Sequence, residues 1–210
     1  MIDLLVATTN PGKFAEVQAF LEGLPLRIIS LRSLTDPPPV VEDGATFEAN
    51  ALKKARTLAQ FSGLMTLADD SGIEVDALGG APGIYSARYC GVEGDDDQNN
   101  QKLLRELQNV AGEKRSARYV CALALCMPGA GGMKEWLARE TCGGRIGFSL
   151  VGSNGFGYDP LFFFPPLGKT FGEIDRQTKA TVSHRGKALK KLAEMLPTWV
   201  DLADGSIASP

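Results

Sequence analysis

Residues Leu67–Tyr89 read LADDSGIEVDALGGAPGIYSARY. They follow the apolar run Leu64-Met65-Thr66-Leu67-Ala68, which reads as a buried strand. The run stops at two adjacent carboxylates, Asp69 and Asp70, then Ser71 and glycine-rich sequence. Like charges that close raise each other's pKa and cost stability unless a cation or a partner relieves them. Side chains alternate along an extended segment, so the two acids are expected to point to opposite sides and do separate jobs.

Outward from this stretch, strand and helix patterns alternate. Residues 2–7 read as a buried strand, Thr8–Lys13 (TTNPGK) as a loop, and 13–23 as a helix with Phe14, Val17, Phe20 and Leu21 at helical spacing. A second strand covers 26–31 and a proline-rich loop Thr35–Ala45. Residues 46–63 read as a helix burying Phe47, Ala51, Leu52, Ala55, Leu58 and Ala59, and 64–69 as the strand that ends in the acids. Beyond the quoted stretch come a helix over 95–110, a hairpin of 116–127 with 133–146, and a last helix capped by Ser183. Alternation followed by a hairpin predicts an α/β fold with a mixed sheet flanked by helices. One domain over 1–202 with a frayed tail over 203–210 is expected, and no internal repeat is visible.

Composition narrows the function classes. The 210 residues are 44% hydrophobic and 22% charged, as in ordinary globular chains. A net charge of -3 lacks the basic excess of a general nucleic-acid binder, but a local Lys/Arg cluster could still hold a small anion. Four cysteines without a C-x-x-C pair, and one histidine, argue against a zinc site and for buried thiols in a reducing compartment. No apolar stretch reaches the ~18 residues of a membrane span, and the N-terminus has no basic leader. A cytoplasmic protein is expected.

Five groups of residues carry polar chemistry. The loop Thr8-Thr9-Asn10-Pro11-Gly12-Lys13 sits where a strand meets a helix, so free backbone N–H groups and Lys13 suit phosphate; a plain Asn-Pro-Gly turn reads equally from the same letters. It is not a Walker A motif. Glu42, Asp69 and Asp70 could meet and hold Mg²⁺, leaving one acid to take a proton from water; alternatively one aspartate caps a turn. Asp95-Asp96-Asp97 reads as a solvated helix start. Gly152–Pro160 (GSNGFGYDP) offers Phe156 and Tyr158 as a slot for a flat ring, or else a tight bend with core aromatics. Lys179, Ser183, His184 and Arg185 surround the start of the last helix and suit an anion or a carbonyl, with no nucleophile motif beside the histidine.

Taken in order, ATTNPGK, VEDGATFEANALKKA, ADDSGIEVDALGGAPGIYSARY, GFGYDPLFF and SHRGKAL resemble the inosine triphosphate pyrophosphatase family. The resemblance runs from residue 7 to residue 189; Thr9 stands where many bacterial members carry glycine. It implies two lobes around a deep cleft, a long mixed sheet and a homodimer. It implies Mg²⁺-dependent hydrolysis of inosine and xanthosine triphosphates and their deoxy forms to monophosphate and pyrophosphate, which keeps deaminated purines out of DNA and RNA. By motif, Thr8, Thr9, Asn10, Pro11, Gly12, Lys13 and Lys54 take the triphosphate, and Glu42 and Asp70 the metal. Asp70 is also the general base, Ser71 a substrate contact, and Phe156, Gly157, Tyr158, Asp159, Lys179, His184 and Arg185 the nucleoside-binding set. Asp70 is expected to face metal and water, and Asp69 to brace the loop through backbone N–H groups or a basic residue. A pyrophosphatase for modified pyrimidine nucleotides and a non-hydrolysing nucleotide sensor are the competing readings; intact acids at Glu42 and Asp70 speak against the sensor.

Overall fold

In the computed structural model, the backbone of residues 1–203 and the side chains of residues 1–199 are described. Strand β1 (Ile2–Ala7) buries Leu4, Leu5, Val6 and Ala7 and runs parallel to β2 (Leu26–Ser30) on one side and β3 (Met65–Val75) on the other. β4 (Ser116–Gly129) and β5 (Gly132–Ile146) form the long hairpin; β6 (Phe162–Phe164) pairs antiparallel with β5, and β7 (Lys169–Thr170) antiparallel with β6. The order is β2-β1-β3-β4-β5-β6-β7. This is the α/β fold with a mixed sheet that the sequence predicts.

The helices are α1 (Pro11–Leu21), α2 (Phe47–Ser62), α3 (Asp96–Glu106), α4 (Arg176–Val182) and α5 (His184–Ala203). The chain divides into two compact units. The first holds Met1–Asp70, Ala122–Arg139 and the residues from Lys187 on; the second holds Ser71–Cys121 and Glu140–Gly186. The core of the second gathers Ile73, Leu103, Tyr119, Tyr158, Phe162 and Phe171. Cys121, Cys126 and Cys142 are buried and Cys90 is half-buried, and none of the four is in a disulfide.

Several expected boundaries move, each for a physical reason. α1 begins at Pro11 rather than Lys13, because Asn10 accepts the Lys13 N–H as a cap and proline suits the first helical position. Half of the expected TTNPGK loop is therefore the first turn of a helix. β3 does not stop at Asp69 but runs on to Val75. Gly72 makes that possible: a Cβ there would stand 2.3 Å from Ser86 Oγ and 2.6 Å from the Gly83 carbonyl oxygen. Ser86 instead lies against the strand and accepts the Ile73 N–H at 2.8 Å. The acids thus sit inside a strand, not at its end. α4, capped by Asp175, and the short β6 and β7 are additions to the expected elements. Except for Ala203, which closes α5, the expected frayed tail lies outside the described residues.

Candidate active site

In the first unit the start of α1 is tightly knit. Thr8 Oγ1 accepts the Asn10 N–H at 3.2 Å, Asn10 Oδ1 accepts the Lys13 N–H at 3.0 Å, and Arg32 donates to the Thr9 carbonyl at 3.0 Å. Pro11 and Gly12 complete the first turn of an 11-residue helix, whose N-terminal dipole favours anions. Lys13 Nζ lies 2.6 Å from Asp69 Oδ1. Lys54, from α2, pairs with Glu42. Asp69 and Asp70 are both buried, at 5% and 6% exposure.

Asp70 stands apart from the other two acids. Burial pushes its carboxyl up from an ordinary 3.8 to about 6; Lys13 and Lys54 oppose that rise and Glu42 adds to it. Asp70 Oδ2 is buried and has no hydrogen-bond partner among the described residues. The same holds for Asn50 Nδ2, close enough to favour the ionised carboxyl slightly but without hydrogen-bond geometry. Asn50 Oδ1 is committed to the Gly44 N–H at 2.7 Å, which ties the Glu42 loop to α2. A buried acceptor and a buried donor thus lie near each other at Asp70 and Asn50.

The donor set fits Mg²⁺, a hard cation that prefers carboxylates, waters and phosphate oxygens. Among the described residues no three His, Cys, Asp or Glu side chains are grouped closely enough to hold an ion alone. The expected meeting of Glu42, Asp69 and Asp70 around one ion is therefore not seen: Asp69 is paired with Lys13 and Glu42 with Lys54.

In the second unit a buried polar network supports an aromatic ring. Asp159, 1% exposed, uses both oxygens: Oδ1 accepts from the Tyr119 hydroxyl at 3.1 Å, and Oδ2 accepts from Lys179 Nζ and from the Phe156 N–H at 2.9 Å. Burial first, and Asp159 next, raise the Tyr119 hydroxyl well above its ordinary 10.0, so it stays protonated and donates. The Tyr119 ring stacks on His184, centroids 4.5 Å apart and planes at 7°. Lys179 Nζ is 4.8 Å and Arg185 Cζ 5.6 Å from the Phe156 ring centroid, a cation–π distance for both. Arg185 donates to Ser71 Oγ at 2.7 Å. Tyr158 is a core residue whose hydroxyl donates to the Ser86 carbonyl at 2.9 Å.

The scan of family models matches residues 4–195 to the Ham1 family. The chain belongs to that family. Among curated relatives, a dITP/XTP pyrophosphatase from Geobacter sulfurreducens is 50% identical over 196 residues, 93% of this chain and 97% of that one. Another, from Bacillus anthracis, is 44% identical over 199 residues, covering 95% and 98%. Of solved structures, a HAM1 protein from Coxiella burnetii superposes with a TM-score of 0.84 at 38% identity, covering 94% of this chain and all of that one. A nucleoside-triphosphatase, dITP/XTP pyrophosphatase, from Mycobacterium abscessus gives 0.73 at 41% identity, covering 93% and 100%.

Within this Ham1 chain the predicted residues fall into two groups. Thr8–Lys13, Glu42, Lys54 and Asp70 belong to the first unit, and Ser71, Phe156–Asp159, Lys179, His184 and Arg185 to the second. Asp70 and Ser71 are chain neighbours on β3. Two further members escape the sequence reading. Asn50 had a signal, because it is a polar residue on the buried face of α2 beside Ala51. Tyr119 had none, because its partners lie 40 and more residues away.

Proposed function

We propose that this chain is a Mg²⁺-dependent pyrophosphatase for non-standard purine nucleoside triphosphates: inosine and xanthosine triphosphates and their deoxy forms. Water attacks the α-phosphorus, the bond between the α-phosphorus and the α–β bridging oxygen breaks, and monophosphate and pyrophosphate leave. The single observation that carries this reading is Asp70. Its carboxyl is buried and Oδ2 has no hydrogen-bond partner among the described residues, which supports reading it as the group that takes the proton of an attacking water. Mg²⁺, when bound through Asp70 and Glu42, supplies neutralisation of phosphate charge.

The other residues have separable work. The α1 N-terminus, Lys13 and Lys54 answer the roughly four negative charges of a triphosphate, which a chain of net charge -3 meets only locally. Phe156 offers a face to the purine. His184 and Arg185 supply donors to the 6-oxo group of hypoxanthine or xanthine. Adenine presents a 6-amino donor there instead, and an unmatched buried donor costs ~1–3 kcal/mol. Asp159 and Lys179 stay in the nucleoside-binding set, and their contacts with each other and with Phe156 support the position of that ring.

The family resemblance carries the rest of the proposal. Residues 1–202 work as one domain in a cytoplasmic homodimer that clears deaminated purine nucleotides and uses neither nucleic acid nor membrane as a partner. No described helix is long and apolar enough to cross a membrane. The test incubates the protein with Mg²⁺ and dITP, XTP, dATP or dGTP and assays pyrophosphate. Release from dITP and XTP well above the other two supports the reading. Equal turnover of all four, or orthophosphate as product, overturns it.

A further inference from the structure

The acidic run Asp95-Asp96-Asp97 reads from sequence as one solvated helix start, but the structure gives its members different work. Asp95 is the cap of α3 and accepts the Gln98 N–H at 3.0 Å. Asp96 and Asp97 are both exposed. Asp96 Oδ2 instead accepts the N–H of Gly157, 61 residues away, at 2.6 Å. One turn further along, Asn100 Nδ2 donates to the Gly157 carbonyl at 2.8 Å and to the Asp96 carbonyl at 2.9 Å. Asn100 is 3% exposed.

We propose that Asp96 and Asn100 are positioning residues that set the Phe156–Asp159 loop for base recognition by holding both backbone groups of Gly157. This rests on the reading above that the loop faces the purine. Gly157 adopts a left-handed conformation, φ 62°, which glycine takes without strain. An acceptor and a donor on consecutive turns of one helix fix its N–H and its C=O at once. The neighbouring Phe156 N–H is held from the other side by Asp159. Phe156 therefore sits between two anchored amides, and its ring keeps its place beside Lys179 and Arg185. Side chains that support a binding residue through rigid elements commonly decide how well it is preorganised. A charge-assisted hydrogen bond from a helix to the loop is such a support.

The test compares Asp96→Ala with Asp96→Asn in the full chain with Mg²⁺ and dITP. Alanine removes the acceptor, asparagine keeps an acceptor oxygen, and Asp95 still caps the helix in both. The expected result for alanine is a KM for dITP raised roughly tenfold, with kcat within about twofold and the thermal midpoint nearly unchanged. Product inhibition by dIMP weakens by the same factor, and inhibition by pyrophosphate does not change. Asparagine restores KM to within about twofold of the parent. The proposal is overturned if alanine leaves KM unchanged, if asparagine is as impaired as alanine, or if dIMP and pyrophosphate inhibition weaken together. A parent protein that releases no pyrophosphate from dITP overturns the function itself, and this inference with it. A parent that does, beside an unaffected alanine variant, overturns the inference alone.

Discussion

Replacing Asp70 by asparagine should stop hydrolysis and make the metal-free protein more stable. The native carboxyl titrates at about 6 against an ordinary 3.8, with burial as the main cause. Its folded value lies above its unfolded value, so between those two pH values the native protein binds a proton that the unfolded chain releases. The stability linked to this group is greatest below the window and falls as pH rises through it. Each tenfold change in proton affinity is worth 1.36 kcal/mol, so above pH 6 the ionised Asp70 costs about 3 kcal/mol. Asparagine has the same shape without the charge, and its own buried amide returns about 1 kcal/mol of that gain. The net gain is about 2 kcal/mol, or about 4–8 °C in thermal midpoint for a chain of this size. The assay is thermal unfolding in EDTA, parent against Asp70→Asn, at about pH 8 and about pH 4.5, where the advantage should nearly vanish. Pyrophosphate release from dITP with Mg²⁺ should fall at least about 10²-fold. A variant no more stable than the parent at the higher pH, equally favoured at both, or still active would refute the reasoning.

Other perturbations test the supporting structure. Lys179→Met leaves the buried Asp159 carboxylate without its cation and should cost about 3–5 kcal/mol in urea unfolding. A variant within about 1 kcal/mol of the parent would mean that the Tyr119 hydroxyl and the Phe156 N–H suffice to hold Asp159. Gly186→Ala would place a Cβ 1.8 Å from the Ala180 carbonyl oxygen, where α4 turns into α5. It should destabilise by about 1–3 kcal/mol in the same unfolding assay, and neutrality would mean that this turn can open without strain.

Local chemistry made much of this molecule legible in its sequence. Thr46 and Gly63 bracket α2 as a cap and a left-handed stop, and both act within a few residues of where they are read. The apolar run at β1 and the glycine-rich turn of the β4–β5 hairpin are equally local. What escaped depends on residues distant in sequence. The Asp69-Asp70-Ser71-Gly72 stretch looks like a strand end, and only the approach of Ser86 to Gly72 shows why the strand continues. β6 and β7 are too short for a period of alternation to show; β6 is held by the end of β5 and β7 by β6. Asp69 was expected to lean on backbone N–H groups or a basic residue without that residue being legible; the structure supplies Lys13. Asp159 was recognisable as part of an aromatic loop, yet its commitment to Tyr119 and Lys179 depends on how β4 and α4 are placed. Asp96 looked like its neighbours because nothing in a run of three acids says which one reaches Gly157.

The most direct test of the central claim follows the oxygen of the attacking water. Hydrolysis of dITP by the Mg²⁺-loaded protein in water enriched in heavy oxygen, read by mass spectrometry, should place the label in dIMP and leave pyrophosphate unlabelled. Label in pyrophosphate, or labelled orthophosphate as the product, would show attack away from the α-phosphorus and contradict the role assigned to Asp70.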